Sequence, residues 1–150
     1  TTKQYLRINR TYVVTAGSGG TGAGVIYVAT SGAASGVPTG TAYAAIVAGE
    51  NQSQMAVYTV PAAYSLYIDN VYFTAAVSAT TNHVIAKLAT RDLNGVFRSK
   101  TTNVLENSPL INNFEFPLKV NAKTDIECRA SGSTTNNQVS ASFEGALIAD

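Results

Sequence analysis

His83 and Cys128 are the single histidine and the single cysteine of the chain, and their side chains are those best suited to metal or nucleophilic chemistry. A zinc site needs three or four converging His, Cys or carboxylate ligands. Ile126 and Ala130 share the apolar side of an alternating segment with Cys128, where a free cysteine packs as a small hydrophobe. The sequence therefore predicts no metal site, a buried and chemically quiet Cys128, and a surface position for His83.

The nine carboxylates stand singly along the chain, without the closely spaced acidic oxygens of a calcium loop. Glu115, Glu127 and Glu144 fall on the polar sides of alternating segments, which favours a solvated outer face. A hydrolase would need two carboxyl groups about 5–9.5 Å apart in a cleft, and that alternative stays open. We predict that the protein is not an enzyme and has no catalytic residues.

Residues 17–22 match the pattern GxGxxG literally. This fingerprint binds a dinucleotide only where a strand precedes it and a helix follows it. Here the following segment, 25–30, is rich in β-branched residues, so a loop between strands is the better interpretation. No cofactor is expected.

Tyrosine is abundant, with eight residues in a chain that has no tryptophan. Tyr64, Tyr67 and Tyr72 lie close together in the sequence. Tyrosine suits interfaces because the ring is buried while the hydroxyl keeps a polar partner. These three residues are the candidate interface, facing either a subunit or a glycan.

Period-two alternation is the main signal for the elements that must position these residues. Within 138–148, for example, Val139, Ala141, Phe143, Gly145 and Leu147 share one side. Phe114, Phe116, Leu118 and Val120 alternate with polar residues and with Pro117, which suits an edge strand or a bulge. The predicted strands cover 6–15, 25–30, 55–60, 66–76, 84–90, a segment from Val96, 114–120, 124–130 and 138–148.

Two further segments carry turn or helix signals. The sequence Asp92-Leu93-Asn94-Gly95 predicts a tight turn between two strands, since Asn-Gly tolerates positive φ. Segment 42–48 is the one helix candidate, and it is short.

Eight to ten short strands at a spacing of roughly ten residues predict an all-β fold, an antiparallel β-sandwich or jelly roll. The Gly/Ala/Ser/Pro segment 32–40 separates an N-terminal hairpin from the remainder. We interpret 1–150 as a single β-sandwich domain, with 1–45 as an appendage of hairpin and Gly-rich loops that is too short to bury a sheet alone.

The charge content excludes several classes of partner. Charged residues make up 13% of the chain and the formal net charge is +1, against about 25% charged residues in an average protein. There is no basic field for nucleic acid and no apolar run of the length that a membrane-spanning helix needs. We therefore expect neither nucleic acid nor a membrane as a partner.

One stretch supports a specific comparison. The sequence of residues 48–62, AGENQSQMAVYTVPA, resembles a pattern of virion structural proteins from marine tailed bacteriophages, in which a Gly-x-Asn-Gln turn leads into Met-Ala-x-Tyr-Thr-x-Pro-Ala and a Tyr-rich strand. Segments 6–12, 116–118, 123–130 and 139–145 fit the same pattern in order. One departure is Ala63, where that family usually places glycine after Pro-Ala.

This resemblance implies a virion protein that works by contact. The expected localisation is the virion, most simply the capsid exterior as a decoration protein, and the alternative is the receptor- or glycan-binding domain of a tail fibre. The expected partners are other virion proteins of the shell or tail and further copies of the chain, with a trimer favoured over a dimer.

Overall fold

The computed structural model describes residues 7–150, and within that range the chain is all-β without helices. This confirms the predicted class, a sandwich-like arrangement of antiparallel sheets, whereas the jelly-roll topology stays a prediction. The strands are β1 (Ile26–Ala29), β2 (Ala33–Ala34), β3 (Val37–Pro38), β4 (Ala42–Ile46), β5 (Val57–Thr59), β6 (Tyr64–Ala76), β7 (Val84–Arg91), β8 (Arg98–Leu105), β9 (Pro109–Val120), β10 (Asp125–Gly132) and β11 (Gln138–Ala149).

The chain forms two compact units, residues 1–55 (unit 1) and residues 56–150 (unit 2). The expectation of one domain with an appendage up to residue 45 stays a prediction. The change between units falls ten residues later in the chain, at Met55 and Ala56.

In unit 1, β1 pairs antiparallel with β4, from Ile26 opposite Ile46 to Ala29 opposite Ala42. The segment 32–40 lies between these paired strands and folds into the small β2–β3 hairpin. It therefore connects the two strands of one hairpin and does not separate a hairpin from the remainder.

Two predicted elements of unit 1 need correction. The helix candidate 42–48 is wrong, because Ala44 and Ile46 alternate as buried residues along β4. Of the predicted strand 6–15, Leu6 lies outside the described residues, and residues 7–15 form only an isolated bridge from Tyr12 to Gln52.

Unit 2 consists of a four-stranded sheet, β5-β10-β7-β8, and a three-stranded sheet, β11-β6-β9. Alternation along β6 in one sheet, and along β7 and β10 in the other, directs apolar side chains into one buried cluster. The fully or nearly buried members are Val60, Leu66, Ile68, Val71, Phe73, Ala75, Val84, Ala86, Leu88, Leu105, Val120 and Ile126.

A bulge at Asp69 changes the phase of β6. The register passes from Ile68 opposite Gly145 to Asn70 opposite Glu144, so Asp69 is the extra residue. A Cβ atom on Gly145 would overlap the carbonyl oxygen of Tyr67, so the backbone at the bulge requires a glycine in β11.

Strand β9 lies at an edge of its sheet, as Pro117 predicts, because it pairs with β6 alone among the described strands. Its register changes from Ile68 opposite Leu118 to Asn70 opposite Asn113, which leaves the residues between Asn113 and Leu118 outside the ladder. Phe116 belongs to this irregular segment and is 81% exposed. The alternation that groups Phe116 with Phe114, Leu118 and Val120 therefore breaks at this residue, since the other three pack in or against the core.

The predicted turn at 92–95 is confirmed. Asn94 has φ 63° and the Gly95 amide donates to the Asp92 carbonyl oxygen at 2.8 Å, which joins β7 to β8. Ala63, directly before β6, also has a positive φ of 63°. The departure from glycine at this position thus places an alanine in a left-handed conformation.

Candidate functional site

Tyr67 and Tyr72 lie on the outer side of the three-stranded sheet. Strand alternation with the Asp69 bulge places them opposite in direction to the buried Leu66, Ile68, Val71 and Phe73. Tyr64 has the phase of Leu66 and stands at the start of β6. The structure therefore brings two of the three predicted tyrosines together on one face and leaves Tyr64 apart.

Tyr72 is held by a carboxylate from the neighbouring strand. Its hydroxyl donates a 2.6 Å hydrogen bond to Glu144 Oε2. This bond raises the pKa of Tyr72, as do desolvation and the charge of Glu144, whereas a hydrogen bond with Asn70 lowers that pKa. Glu144 is exposed as predicted, but it serves as the partner that orients the ring.

Tyr67 contacts a cation on the other neighbouring strand, β9. Lys119 lies directly opposite it on β9, and the Lys119 ammonium is 5.8 Å from the ring centroid. This is within the range of a cation–π contact, which contributes about 0.5–1 kcal/mol at an exposed site. The two rings are thus fixed by cross-strand neighbours.

Exposed aliphatic residues extend this surface. Ile111 lies opposite Tyr72 on β9, and Ile148 lies opposite Ser65 on β11, so both share the outer side with the tyrosines. Each is more than half exposed. We call Tyr67, Tyr72, Ile111, Glu144 and Ile148 the tyrosine face.

A buried ion pair on the four-stranded sheet is the feature that sequence reasoning missed. Asp125 is 2% exposed and lies directly between Thr59 and Arg91 on the neighbouring strands. Its Oδ1 accepts from Thr59 Oγ1 at 2.7 Å, and its Oδ2 accepts from Arg91 Nε at 3.1 Å and Nη2 at 2.7 Å. Only the strand register places these three residues side by side, so no local sequence pattern marks them as neighbours.

Phe97 packs against two guanidinium groups on this sheet. Its ring centroid is 4.6 Å from Arg91 Cζ and 4.7 Å from Arg129 Cζ. Arg129 also pairs with Glu127 on its own strand. Glu127 was predicted to lie on a solvated face, and in the structure it forms an ion pair with Arg129.

Comparison with protein-family models, with curated proteins and with solved structures finds no match for the chain.

Cys128 and His83 are not neighbours. Cys128 lies opposite Leu88 on β7, whereas His83 precedes Val84, whose partner is Gly132. Four strand residues separate those two positions, which corresponds to about 13 Å. A hydrogen-bonded Cys–His pair is thus excluded by the register.

Cys128 itself is half-buried against the core cluster. Burial raises the pKa of the thiol to about 11, and the charge of Glu127 adds to the effect. Since the thiolate is the reactive form, this supports the predicted chemical quietness although the side chain is not fully buried.

The remaining sequence motifs do not form a binding site in the part of the chain that the structure describes. The GxGxxG segment is a loop followed by the strand β1, as predicted, and no helix follows it. Within residues 7–150, no group of three or more His, Cys, Asp or Glu side chains could hold a metal ion. The same residues contain no helix of the length and hydropathy needed to cross a membrane.

Proposed function

We propose that this chain is a non-enzymatic structural protein of a bacteriophage virion, located on the capsid exterior, where it binds neighbouring proteins through the tyrosine face. The observation that carries the proposal is that face: two oriented tyrosine rings and two exposed isoleucines on the outer side of an antiparallel sheet. The sequence resemblance to phage virion proteins supplies the biological setting.

The physical chemistry of the face suits contact with protein. Tyrosine adds a large buried area and loses little rotamer entropy, and isoleucine adds apolar area. Of the charges on this side of the sheet, Glu144 and Lys119 are each engaged with a ring, whereas Asp69, in the bulge between the two tyrosines, is exposed. Burying the two rings would therefore keep Glu144 and Lys119 in contact with their partners, which limits the cost of removing these two charges from water.

The partners in this proposal are shell or tail proteins and further copies of the chain. Tyr64, the third residue of the predicted interface, stands apart from the tyrosine face. It is 39% exposed and would take part only at the periphery of such a contact.

The content and surface of purified particles test the proposal. Phage particles from the virus that encodes the chain are purified on a density gradient, and their proteins are quantified by mass spectrometry. We expect the chain at a stoichiometry similar to other shell proteins, and we expect an antibody against it to label intact particles. Absence from the particles, with the chain recovered only from the soluble lysate, would refute the proposal.

One observation favours a second candidate, the glycan-binding domain of a tail fibre. Tyr72 lies beside Glu144 and Asn70, so an aromatic ring, a carboxylate and an amide meet at one exposed surface. Such a combination can stack on a sugar ring while bonding its hydroxyl groups.

A glycan array probed with the labelled protein separates the two candidates. Specific binding that is lost in Tyr72→Ala and kept in Tyr43→Ala, an exposed tyrosine of unit 1, would favour the fibre assignment. Absence of binding to every glycan would favour the capsid assignment.

A further inference from the structure

The sheet edges of unit 2 differ in how they are protected against pairing with another chain. Strand β5 has only three residues. Strand β8 carries Arg98 and Lys100 together with an irregular register. Strand β9 contains Pro109 and Pro117 and the segment outside the ladder. Short length, charge, proline and bulges are the means by which proteins prevent edge-to-edge association.

Strand β11 has only one of these protections, a single charge. It extends over twelve residues, Gln138–Ala149, with no proline and with Glu144 as its one charge. Among residues 7–150 it pairs with β6 alone, and the irregularity of that pairing comes from Asp69 in β6. Its other edge therefore presents a long row of backbone donors and acceptors.

Apolar side chains near this edge are incompletely covered. Val139 and Leu147 face the core side, opposite the buried Ala75 and Leu66, yet they are 39% and 41% exposed. A cavity of about 130 Å³ also lies between β10 and β11, lined mainly by small residues. These lining residues are Ala56, Phe73, Cys128, Arg129, Ala130, Val139 and Ala141.

We propose that two copies of this chain associate by antiparallel pairing of their β11 strands, around a two-fold axis centred on Phe143. In this register Val139 lies opposite the partner's Leu147, so the two incompletely covered aliphatic residues cover each other. Ala141 lies opposite the partner's Gly145, and the core sides of both sheets remain on the same side. Directly opposed side chains in such a pair are about 4.5–5.5 Å apart.

The single charge of the strand selects this register over its neighbour. Centred on Phe143, the pair places Glu144 opposite the partner's Ser142. Centred on Glu144, it would place two carboxylates directly opposite each other, which is destabilising. The result is a continuous six-stranded sheet that presents two tyrosine faces on one surface.

This contact goes beyond the proposed function and does not depend on it, since it follows from the sheet edge alone. It is isologous, so it joins copies in pairs. A dimer is therefore the expected state of the isolated protein, in contrast to the trimer that the sequence favours.

Sedimentation velocity on the purified chain tests the pairing, with two variants of β11. In Ser140→Lys/Ala146→Lys, the two lysines lie opposite each other across the axis, and we expect the dimer dissociation constant to rise at least tenfold. In the control Ser142→Lys, the lysine faces the partner's Glu144, and we expect the dimer to persist. Circular dichroism confirms that both variants are folded.

Disulfide trapping supplies a second measurement. In a Cys128→Ser background, a mixture of Val139→Cys and Leu147→Cys proteins should form mixed disulfides, and Val139→Cys alone should not. A wild-type protein that stays monomeric at concentrations up to about 1 mM, or that is trimeric, would overturn the proposal. A dimer that survives the double lysine substitution would overturn it as well.

Discussion

At the residue scale, Asp125 is the one charged residue that is buried among residues 7–150. Both of its carboxylate oxygens accept hydrogen bonds, from Thr59 on one side and Arg91 on the other. Asp125 is almost completely buried, whereas the Arg91 side chain is 27% exposed. Loss of the carboxylate would therefore leave the guanidinium in partial contact with water, which limits the cost.

We predict that Asp125→Asn lowers the free energy of unfolding by about 2 kcal/mol, since hydrogen bonds to charged groups contribute about 1.5–3 kcal/mol. Urea denaturation measures the change. Glu127→Gln is the matched control, because Glu127 is two residues away on the same strand and pairs with the exposed Arg129. We expect less than about 0.5 kcal/mol for the control; equal losses in the two variants would contradict this reading of Asp125.

The thiol of Cys128 should react slowly under native conditions. With its pKa raised to about 11 by burial, the thiolate fraction is small at neutral pH and rises only in strongly alkaline solution. Reaction with a chromogenic disulfide, followed as a function of pH, should show its midpoint near that value. A native protein that reacts at pH 7.5 as fast as the urea-unfolded protein would contradict the prediction.

At the scale of elements, the turn before β6 contains a strained backbone conformation that a glycine would relieve. Ala63 has a φ of 63°, a left-handed conformation in which a Cβ atom is unfavourable. Its carbonyl oxygen accepts from the Asp150 amide at 3.0 Å, so the turn also anchors the residue that follows β11.

Ala63→Gly should therefore stabilise the protein, by up to about 1 kcal/mol after the greater flexibility of glycine in the unfolded chain is deducted. Thermal and urea unfolding provide the measurement. Ala62→Gly, one residue earlier and without a positive φ, is the control and should destabilise. A loss of stability in Ala63→Gly would show that the turn gains nothing from glycine.

Local patterns predicted the strands of unit 2 well because alternation and turn chemistry are local signals. The side of β11 is an example: Val139, Ala141, Phe143, Gly145 and Leu147 all lie opposite core-facing residues of β6, as predicted. Pro117 indicated an edge strand or a bulge, but the exposure of Phe116 depends on how the partner strand pairs and so could not be derived from alternation. The Asp125 pair was missed for the same reason, since its neighbours come from strands far away in the sequence.

At the scale of the whole molecule, the apolar core belongs to one part of the chain. Every member of the core cluster, from Val60 to Ile126, lies in unit 2. In unit 1 the buried residues among those described are Ala44, Ile46 and Ser53. Burial of apolar surface is the main stabilising contribution to folding, and most of the buried apolar surface lies in unit 2.

We predict that residues 56–150, expressed alone, fold cooperatively into an all-β protein, whereas residues 1–55 do not fold alone. Far-ultraviolet circular dichroism with thermal unfolding tests both fragments. A sigmoidal transition for 1–55, or its absence for 56–150, would contradict the prediction. The fragments also test the interpretation of one domain with an appendage.

The central claim is that the chain works by contact within a virion, and cryo-electron microscopy of the intact particle tests it most directly. We predict density for unit 2 on the outside of the capsid, with Tyr67 and Tyr72 within 4–5 Å of a neighbouring protein, about the range of side-chain contact. A particle map without this chain, or one in which the tyrosine face of every copy points into solvent, would contradict the claim.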